Sequence, residues 1–267
     1  MTPSPDEPPL AALRRRVADR APLAPIHASV HAELLAIEPG HVEARMPTAA
    51  RDPALEAVLV LADFLLGLAV TGTVGPGERI TTLRLSVQMV GEAGHGELRG
   101  TGRLDHRDDA VGTSSAEIVD GEGRLVARCT GRNAILADRA PDSLTEELRW
   151  ASRPGPWALL MPMRQAEPVP EGATVIAHPD PSTANSAGVV QGGALAGIAA
   201  HALDGVLGAR PQELAVSFLR AVPADGRALV CRVSVEHAGR RLRSARAELR
   251  DRTDRLVLTA SGLAYRT

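Results

Sequence analysis

Residues 116–126 read AEIVDGEGRLV, and residues 247–257 read AELRDRTDRLV, with Ala, Glu, Asp, Arg, Leu and Val repeated at an offset of 131 residues and no gap. The same offset places Gly131 on Gly262. Self-similarity at one fixed offset is the signature of an internal repeat. The sequence therefore predicts two copies of one domain, joined head to tail.

Hydrophobic periodicity and turn residues predict the same order of elements in both copies: a strand pair, one long apolar helix and an antiparallel meander. Asp52 and Pro53 suit the start of the first helix. A helix that is apolar on every side needs a sheet wrapped around it, which indicates the α+β class. In the first copy we predict strands near 30–37, 42–46, 83–89, 96–106, 111–119 and 124–136, with a helix over about 53–74. In the second we predict a hairpin near 157–178, a helix from about Gly192 to Leu207, and strands near 213–220, 227–237, 241–250 and 255–265.

The predicted organisation has four parts. Residues 1–25 form an N-terminal segment with a surface helix near 9–20, and residues 26–138 form the first repeat. Residues 139–156 are a solvated linker, and residues 157–267 form the second repeat.

Composition narrows the range of functions. The chain has 267 residues, of which 44% are hydrophobic and only 2% aromatic, so the cores should be aliphatic. A net charge of −2 offers no basic field for nucleic acid or a membrane surface. Cys129 and Cys231 lack metal-ligand spacing and are expected to be lone buried thiols. Because no apolar signal segment opens the chain, we expect a cytoplasmic protein. We also expect no metal or redox cofactor.

The start of the second helix carries the first candidate chemistry. Residues 185–195 read NSAGVVQGGAL. Two glycines at a helix N-terminus let a ligand approach backbone N–H groups, which can stabilise a developing oxyanion. The alternative interpretation is a loop that only packs tightly under the sheet.

The wider motif resembles Asn-x-x-Gly-x-x-His-Gly-Gly of hot-dog thioesterases of the phenylacetate-pathway (PaaI-like) type. Asn185, Gly188, Gly192 and Gly193 match it, and Gln191 stands where the family has His. The resemblance covers both repeats. It implies two hot-dog domains in tandem, forming an intrachain pseudo-dimer, and an acyl-CoA thioesterase activity with CoA as part of the substrate.

The family also places a catalytic Asp nine residues after that His. In the second copy this position is Ala200, whereas the first copy has Asp63 in a matching Leu-Ala-Asp but lacks the glycine loop. In related dimers the loop and the Asp come from different subunits. The resemblance therefore implies one composite site, in which the second-copy loop meets Asp63 and a hydroxyl from Thr82, or from Thr81 if the alignment shifts by one.

The implied mirror site should be dead, because it would hold Ala54-Leu55-Glu56, Ala200 and Pro211.

The resemblance also implies roles for these residues. Asp63 would be the general base or the nucleophile, and the Gly192 N–H the oxyanion donor. Asn185 would position the water or the Asp, with Thr82 bonded to the same group. Gln191 can donate and accept hydrogen bonds but cannot titrate, which leaves its role open between a catalytic contact and a vestige.

The sequence allows alternatives for the CoA-binding residues, for the function and for the oligomeric state. Arg240 and Arg241 are candidates for gripping the CoA phosphates, with a solvated hairpin tip as the alternative. The alternative function is a non-catalytic acyl-CoA-binding protein; a hydratase would need an Asp/His pair that the sequence does not show. A homodimer of pseudo-dimers is a further option.

Overall fold

The computed structural model describes residues 7–48, 54–91, 96–137, 152–155, 161–165 and 172–265. The predicted helix start at Asp52 and Pro53 lies outside the described residues, as does the predicted linker apart from 152–155.

The described helices and strands follow the predicted order in both repeats. The helices are α1 (Pro9–Ala18), α2 (Pro25–Ser29), α3 (Ala54–Thr71) and α4 (Gly192–Leu207), with a short 3-10 turn at Pro181–Thr183. The first-repeat strands are β1 (Glu33–Glu38), β2 (His41–Thr48), β3 (Arg79–Met89), β4 (Gly96–Arg107), β5 (Val111–Asp120) and β6 (Leu125–Leu136). The second-repeat strands are β7 (Met163–Gln165), β8 (Gly172–Ala177), β9 (Glu213–Phe218), β10 (Leu229–Ala238), β11 (Leu242–Arg250) and β12 (Leu256–Tyr265).

All these strands form one antiparallel sheet, in the order β1-β2-β4-β5-β6-β3-β9-β12-β11-β10-β8-β7. Each half of that order belongs to one repeat, and the second half mirrors the first. The halves join where β3 pairs with β9, with Ser86 opposite Ala215. The chain therefore folds as an intrachain pseudo-dimer with one continuous sheet, as predicted.

Irregularities in the strands recur at the predicted offset. A β-bulge interrupts the β4–β5 register between Leu104 and His106, and another interrupts β10–β11 between Val235 and His237. Bulges add local twist, and they recur at the same place only when the strands have the same geometry. The 131-residue offset is therefore a structural repeat as well as a sequence repeat.

The two long helices lie at the centre of the molecule, packed against each other and wrapped by the sheet. Their side chains are buried on nearly every face, and the core is mainly aliphatic, as the composition predicts. A Cβ on Gly131 would lie 3.0 Å from Leu66, and a Cβ on Gly262 would lie 3.1 Å from Leu203. Leu66 and Leu203 therefore occupy equivalent positions in the two repeats. Asp63 and Ala200 each lie three residues earlier in the same helix, so they are equivalent as well.

One difference between the repeats bears on function. The β2–α3 connection spans only residues 49–53, whereas the β8–α4 connection spans residues 178–191. The longer connection carries the Asn185–Gln191 loop. With only five residues between its strand and its helix, the first copy has no equivalent of this loop.

The fold also bears on the two cysteines and on membrane insertion. Cys129 and Cys231 are buried and free, and burial raises the pKa of each thiol to about 12. None of the described helices combines the length and the apolarity needed to cross a membrane.

Candidate active site

The N-terminus of α4 is fixed by Gln191. Its backbone is extended and its Oε1 accepts a hydrogen bond from the Ala194 N–H at 3.0 Å, which makes it the N-cap of the helix. Its Nε2 donates to the Val60 carbonyl of α3 at 3.0 Å, and the side chain is 3% exposed. Gln191 thus ties the two helices together, with its amide oxygen and its amide nitrogen each engaged by backbone.

The two glycines after this cap allow α4 to approach α3 closely. A Cβ on Gly193 would lie 2.3 Å from the Leu59 carbonyl oxygen, and a Cβ on Gly192 would lie 2.9 Å from Asp63 Oδ1. Real side chains do not tolerate such distances. Gly193 is therefore restricted to glycine by the helix crossing, whereas a side chain at position 192 would displace the Asp63 carboxylate.

Asp63 of the first repeat meets the loop of the second repeat at this crossing. Its carboxylate accepts hydrogen bonds from the backbone N–H groups of Gly193 and Gly192, and Thr82 Oγ1 donates to Oδ1 at 3.0 Å. Burial raises the pKa of Asp63 above its ordinary value, against the opposing effect of these three donors. The structure thus brings Asp63, Thr82, Gly192 and Gly193 together, in the arrangement that the resemblance implies.

Asn133 is a site residue that the sequence analysis missed. It is 1% exposed and lies on β6 opposite Thr82 on β3, and its Nδ2 approaches Thr82 Oγ1 at 3.3 Å. Because the Thr82 oxygen accepts from Asn133, its hydrogen is left to point at Asp63. A polar residue at an inward position of a predicted strand is the signal that would have indicated it.

The loop before α4 is shaped by Asn185. Its Oδ1 accepts from the Ala187 N–H at 2.9 Å and from the Val189 N–H at 3.4 Å. Gly188 has φ of +74°, a conformation that favours glycine, and its N–H donates to the Asn185 carbonyl at 3.1 Å. The side-chain oxygen of Asn185 is therefore engaged by its own loop rather than aimed at Asp63.

A cavity of about 520 Å³ opens beside this cluster, between the repeats. Its walls come from α2, α3 and β3 of the first repeat and from the loop, α4 and the end of β9 in the second. Thr81, the alternative to Thr82, also lines it, as do Asn185 and Gln191.

The prediction for Arg240 and Arg241 does not fit this cavity. Both side chains are exposed in the β10–β11 hairpin, next to Arg243, whose Nη1 donates to the Leu207 carbonyl at the C-terminal end of α4. The cavity lies at the N-terminal end, roughly 24 Å away for a helix of this length. The cations that do line the cavity, among the described residues, are Arg79 and Arg220.

The mirror position contains different groups. Ala200 is buried and apolar where Asp63 has its carboxylate. Glu56, at the start of α3, is 5% exposed, and its Oε1 lies 3.9 Å from Nδ1 of His201. Burial raises the pKa of Glu56 to about 7. The region equivalent to the Asp63 site thus contains a buried carboxyl. That carboxyl belongs to Glu56 at the start of α3, however, and not to position 200 on α4.

The arrangement around Asp63 supports a definite kind of chemistry. A poorly solvated carboxylate can accept a proton or attack an electrophilic carbon. N–H groups at a helix N-terminus can receive negative charge. Both requirements belong to acyl transfer.

Comparisons with known proteins agree with this chemistry and with the fold. Residues 180–265 match the sequence model of the acyl-CoA thioesterase N-terminal domain family. No curated protein sequence matches the chain.

Several solved structures resemble the whole chain. The acyl-CoA thioesterase II TesB2 from Mycobacterium marinum has a TM-score of 0.63 at 14% identity, covering 90% of this chain and 96% of that one. The tesB protein from Mycobacterium avium subs paratuberculosis has a TM-score of 0.64 at 14% identity, over 90% and 97%. A 12:0-ACP thioesterase from Umbellularia californica has a TM-score of 0.56 at 11% identity, over 85% and 94%.

At such identities these structures show a shared fold, and the PaaI-like subgroup remains a prediction from the 185–193 motif. The chain as a whole has the tandem hot-dog fold, and residues 180–265 match the acyl-CoA thioesterase domain model; together these findings support a thioester hydrolase.

Proposed function

We propose that the chain hydrolyses an acyl-CoA thioester to the free acid and CoA at one composite site between its repeats. The observation that carries this proposal is the contact of the Asp63 carboxylate with the Gly192 and Gly193 N–H groups and the Thr82 hydroxyl. It joins a carboxylate from one repeat to a helix N-terminus from the other.

In the general-base form of the mechanism, Asp63 takes a proton from water while the water oxygen attacks the thioester carbonyl carbon. The carbonyl π electrons move to oxygen, and the resulting oxyanion accepts a hydrogen bond from a backbone N–H. The C–S bond then breaks, CoA leaves as a thiolate with the bonding electrons, and the proton held by Asp63 is released to it. In the nucleophilic form Asp63 attacks the carbonyl carbon, the C–S bond breaks, and CoA leaves as a thiolate with the bonding electrons. Water then cleaves the mixed anhydride to the free acid and the Asp63 carboxylate, and the proton it releases goes to the thiolate.

The two glycines have separate tasks in this proposal. Both N–H groups bond Asp63 in the structure, so one of them must turn to the substrate for a carbonyl oxygen to be polarised. We assign the oxyanion to Gly192 and the retention of Asp63 to Gly193, because Gly193 is fixed against the α3 backbone.

The catalytic role is tested by thiol release from a panel of acyl-CoA thioesters. Asp63→Asn should lower kcat by about 10³-fold while substrate binding is kept, since general acid–base groups contribute 10²–10⁴-fold. Glu56→Gln is the matched control, because it neutralises another buried carboxyl on the same helix and should keep kcat. Equal hydrolysis by wild type and Asp63→Asn would refute the catalytic role of Asp63, whereas binding without any hydrolysis by the wild type would indicate the alternative, an acyl-CoA-binding protein.

Base and nucleophile are separated by a single turnover in H₂¹⁸O. Direct attack by water places ¹⁸O in the product acid in the first turnover. When water cleaves the anhydride at the Asp63 carbonyl carbon, the product acid instead takes an oxygen from Asp63 and ¹⁸O stays on the protein, so label on Asp63 identifies the nucleophilic route.

A further inference from the structure

His27 lies in the active-site cavity but has no role in the mechanism above. It belongs to α2, which is docked on the loop of the second repeat: the Ile26 N–H donates to the Ala184 carbonyl at 3.1 Å, and Ser29 Oγ donates to the Ser182 carbonyl at 3.1 Å. These bonds hold α2 beside the loop that leads to Gly192. The position of His27 is therefore fixed by backbone and does not depend on a mobile side-chain contact.

The imidazole of His27 is buried without a polar partner. It is 7% exposed, and neither Nδ1 nor Nε2 has a hydrogen-bond partner among the described residues. Its ring lies against Phe64, with centroids 4.0 Å apart, and Phe64 follows Asp63 directly in α3. Leaving a buried polar group unpaired is unfavourable, so such a group in a cavity wall calls for an explanation.

The protonation state of this ring follows from its surroundings. Burial lowers the pKa of His27 to about 3, so the imidazole is neutral at physiological pH. A neutral imidazole has one N–H donor and one acceptor nitrogen. It can therefore bond a carbonyl oxygen through the donor, or a hydroxyl through either nitrogen.

The cavity has an exposed mouth and a buried floor. Leu219 at 52% and Leu83 at 37% exposure lie at the mouth, together with the exposed Arg220. Leu195 and Val190, each 3% exposed, lie at the floor with His27. Because the phosphates of CoA cannot be buried without cations, CoA must stay at the mouth and the acyl group must fill the floor.

We propose that His27 is a specificity residue which hydrogen-bonds an oxygen on the acyl chain, so that the preferred substrates are hydroxyacyl or oxoacyl thioesters rather than plain alkanoyl thioesters. This inference rests on the proposed function, because it uses the same cavity and the same orientation of CoA. A site that hydrogen-bonds a substrate oxygen discriminates strongly against the analogue without it, since the buried partner is then left unpaired.

The test measures binding by calorimetry to the Asp63→Asn variant, which keeps the ligand intact. The ligands are butyryl-CoA and its 2-hydroxy, 3-hydroxy and 3-oxo derivatives, which differ only in the added oxygen. At least one derivative should bind about tenfold tighter than butyryl-CoA, the factor that corresponds to about 1.4 kcal/mol. Adding His27→Phe should abolish that preference and change the affinity for butyryl-CoA by less than about threefold.

The possible results distinguish a failure of the proposed role of His27 from a failure of the proposed thioesterase function. Equal affinities for butyryl-CoA and all three derivatives, with His27 present, would overturn the role of His27 and leave the thioesterase proposal standing. Failure of every acyl-CoA to bind would overturn both. The comparison in the protein that retains His27 is decisive by itself, even if His27→Phe does not fold.

Discussion

Asp63 is held between two opposing influences on its pKa. Burial beside α4 disfavours the carboxylate, whereas the N–H groups of Gly193 and Gly192 and the Thr82 hydroxyl stabilise it. Burial has the larger effect, so the pKa lies above the usual value of 3.8. A carboxyl raised in this way is a stronger base once it is ionised, which suits proton abstraction.

The Thr82 hydroxyl should set the acid limb of the pH profile. Asp63 must be ionised to act, so kcat/KM should rise with pH through the Asp63 pKa. Thr82→Val removes a donor to the charged form, so the limb should move to higher pH, with about a tenfold loss of kcat/KM near that limb. Thr82→Ser keeps the hydroxyl and should restore the profile; an unmoved limb in Thr82→Val would exclude the hydrogen bond as a cause.

Glu56 should affect stability rather than activity. Its pKa is raised from 4.5 to about 7, so the folded state binds its proton more tightly than the unfolded state does. The buried Glu56 carboxylate therefore lowers the free energy of unfolding. This loss of stability is absent below about pH 4.5, grows as the pH rises, and reaches its full value above about pH 7. That difference corresponds to roughly 3 kcal/mol.

Glu56→Gln should therefore stabilise the protein at pH 8, by up to ~3 kcal/mol, and have little effect near pH 5. Urea unfolding at both pH values measures this. A variant less stable than wild type at pH 8 would show that the contact with His201 outweighs the burial of the charge.

At the scale of elements, the crossing of α3 and α4 depends on two adjacent glycines with different neighbours. Gly193→Ala would place a methyl against α3 backbone, which cannot move aside, and should cost about 1–3 kcal/mol of stability or more. Gly192→Ala would place it against the Asp63 side chain, which can shift. Thermal unfolding should show a clearly lower Tm for Gly193→Ala than for Gly192→Ala; equal values would argue against the tight crossing.

Elements were more predictable than contacts between them. The helix Gly192–Leu207 and the meander strands follow from local periodicity and turn residues, which the sequence contains directly. The sequence left Arg240 and Arg241 open between a contact with the CoA phosphates and a solvated hairpin tip, because the position of a hairpin tip depends on the sheet topology.

The same reason explains the residues that were missed. The inward polar position of Asn133 is visible in the sequence, but its pairing with Thr82 depends on cross-strand register; His27 reaches the site through the docking of α2, which has no local signal in the sequence. Asp63 and Thr82 were found because the family resemblance supplied the long-range relation.

At the scale of the whole molecule, the two repeats keep the same sheet and differ in their connections. The longer β8–α4 connection provides the glycine loop, and α3 of the other repeat provides the carboxylate. Covalent linkage keeps these halves together, so that the proposed mechanism needs one complete site per chain and no carboxylate at position 200. In that mechanism each repeat is indispensable for catalysis.

A double-mutant cycle tests this shared site most directly. Asp63→Asn alters only the first repeat and should cost about 10³-fold in kcat. Gly192→Ala alters only the second repeat and displaces Asp63, which should cost about 10²-fold. If both act in one site, the double variant should be no slower than Asp63→Asn alone. If each repeat instead held its own site, each single variant would keep about half of the wild-type activity, and that result would contradict the account.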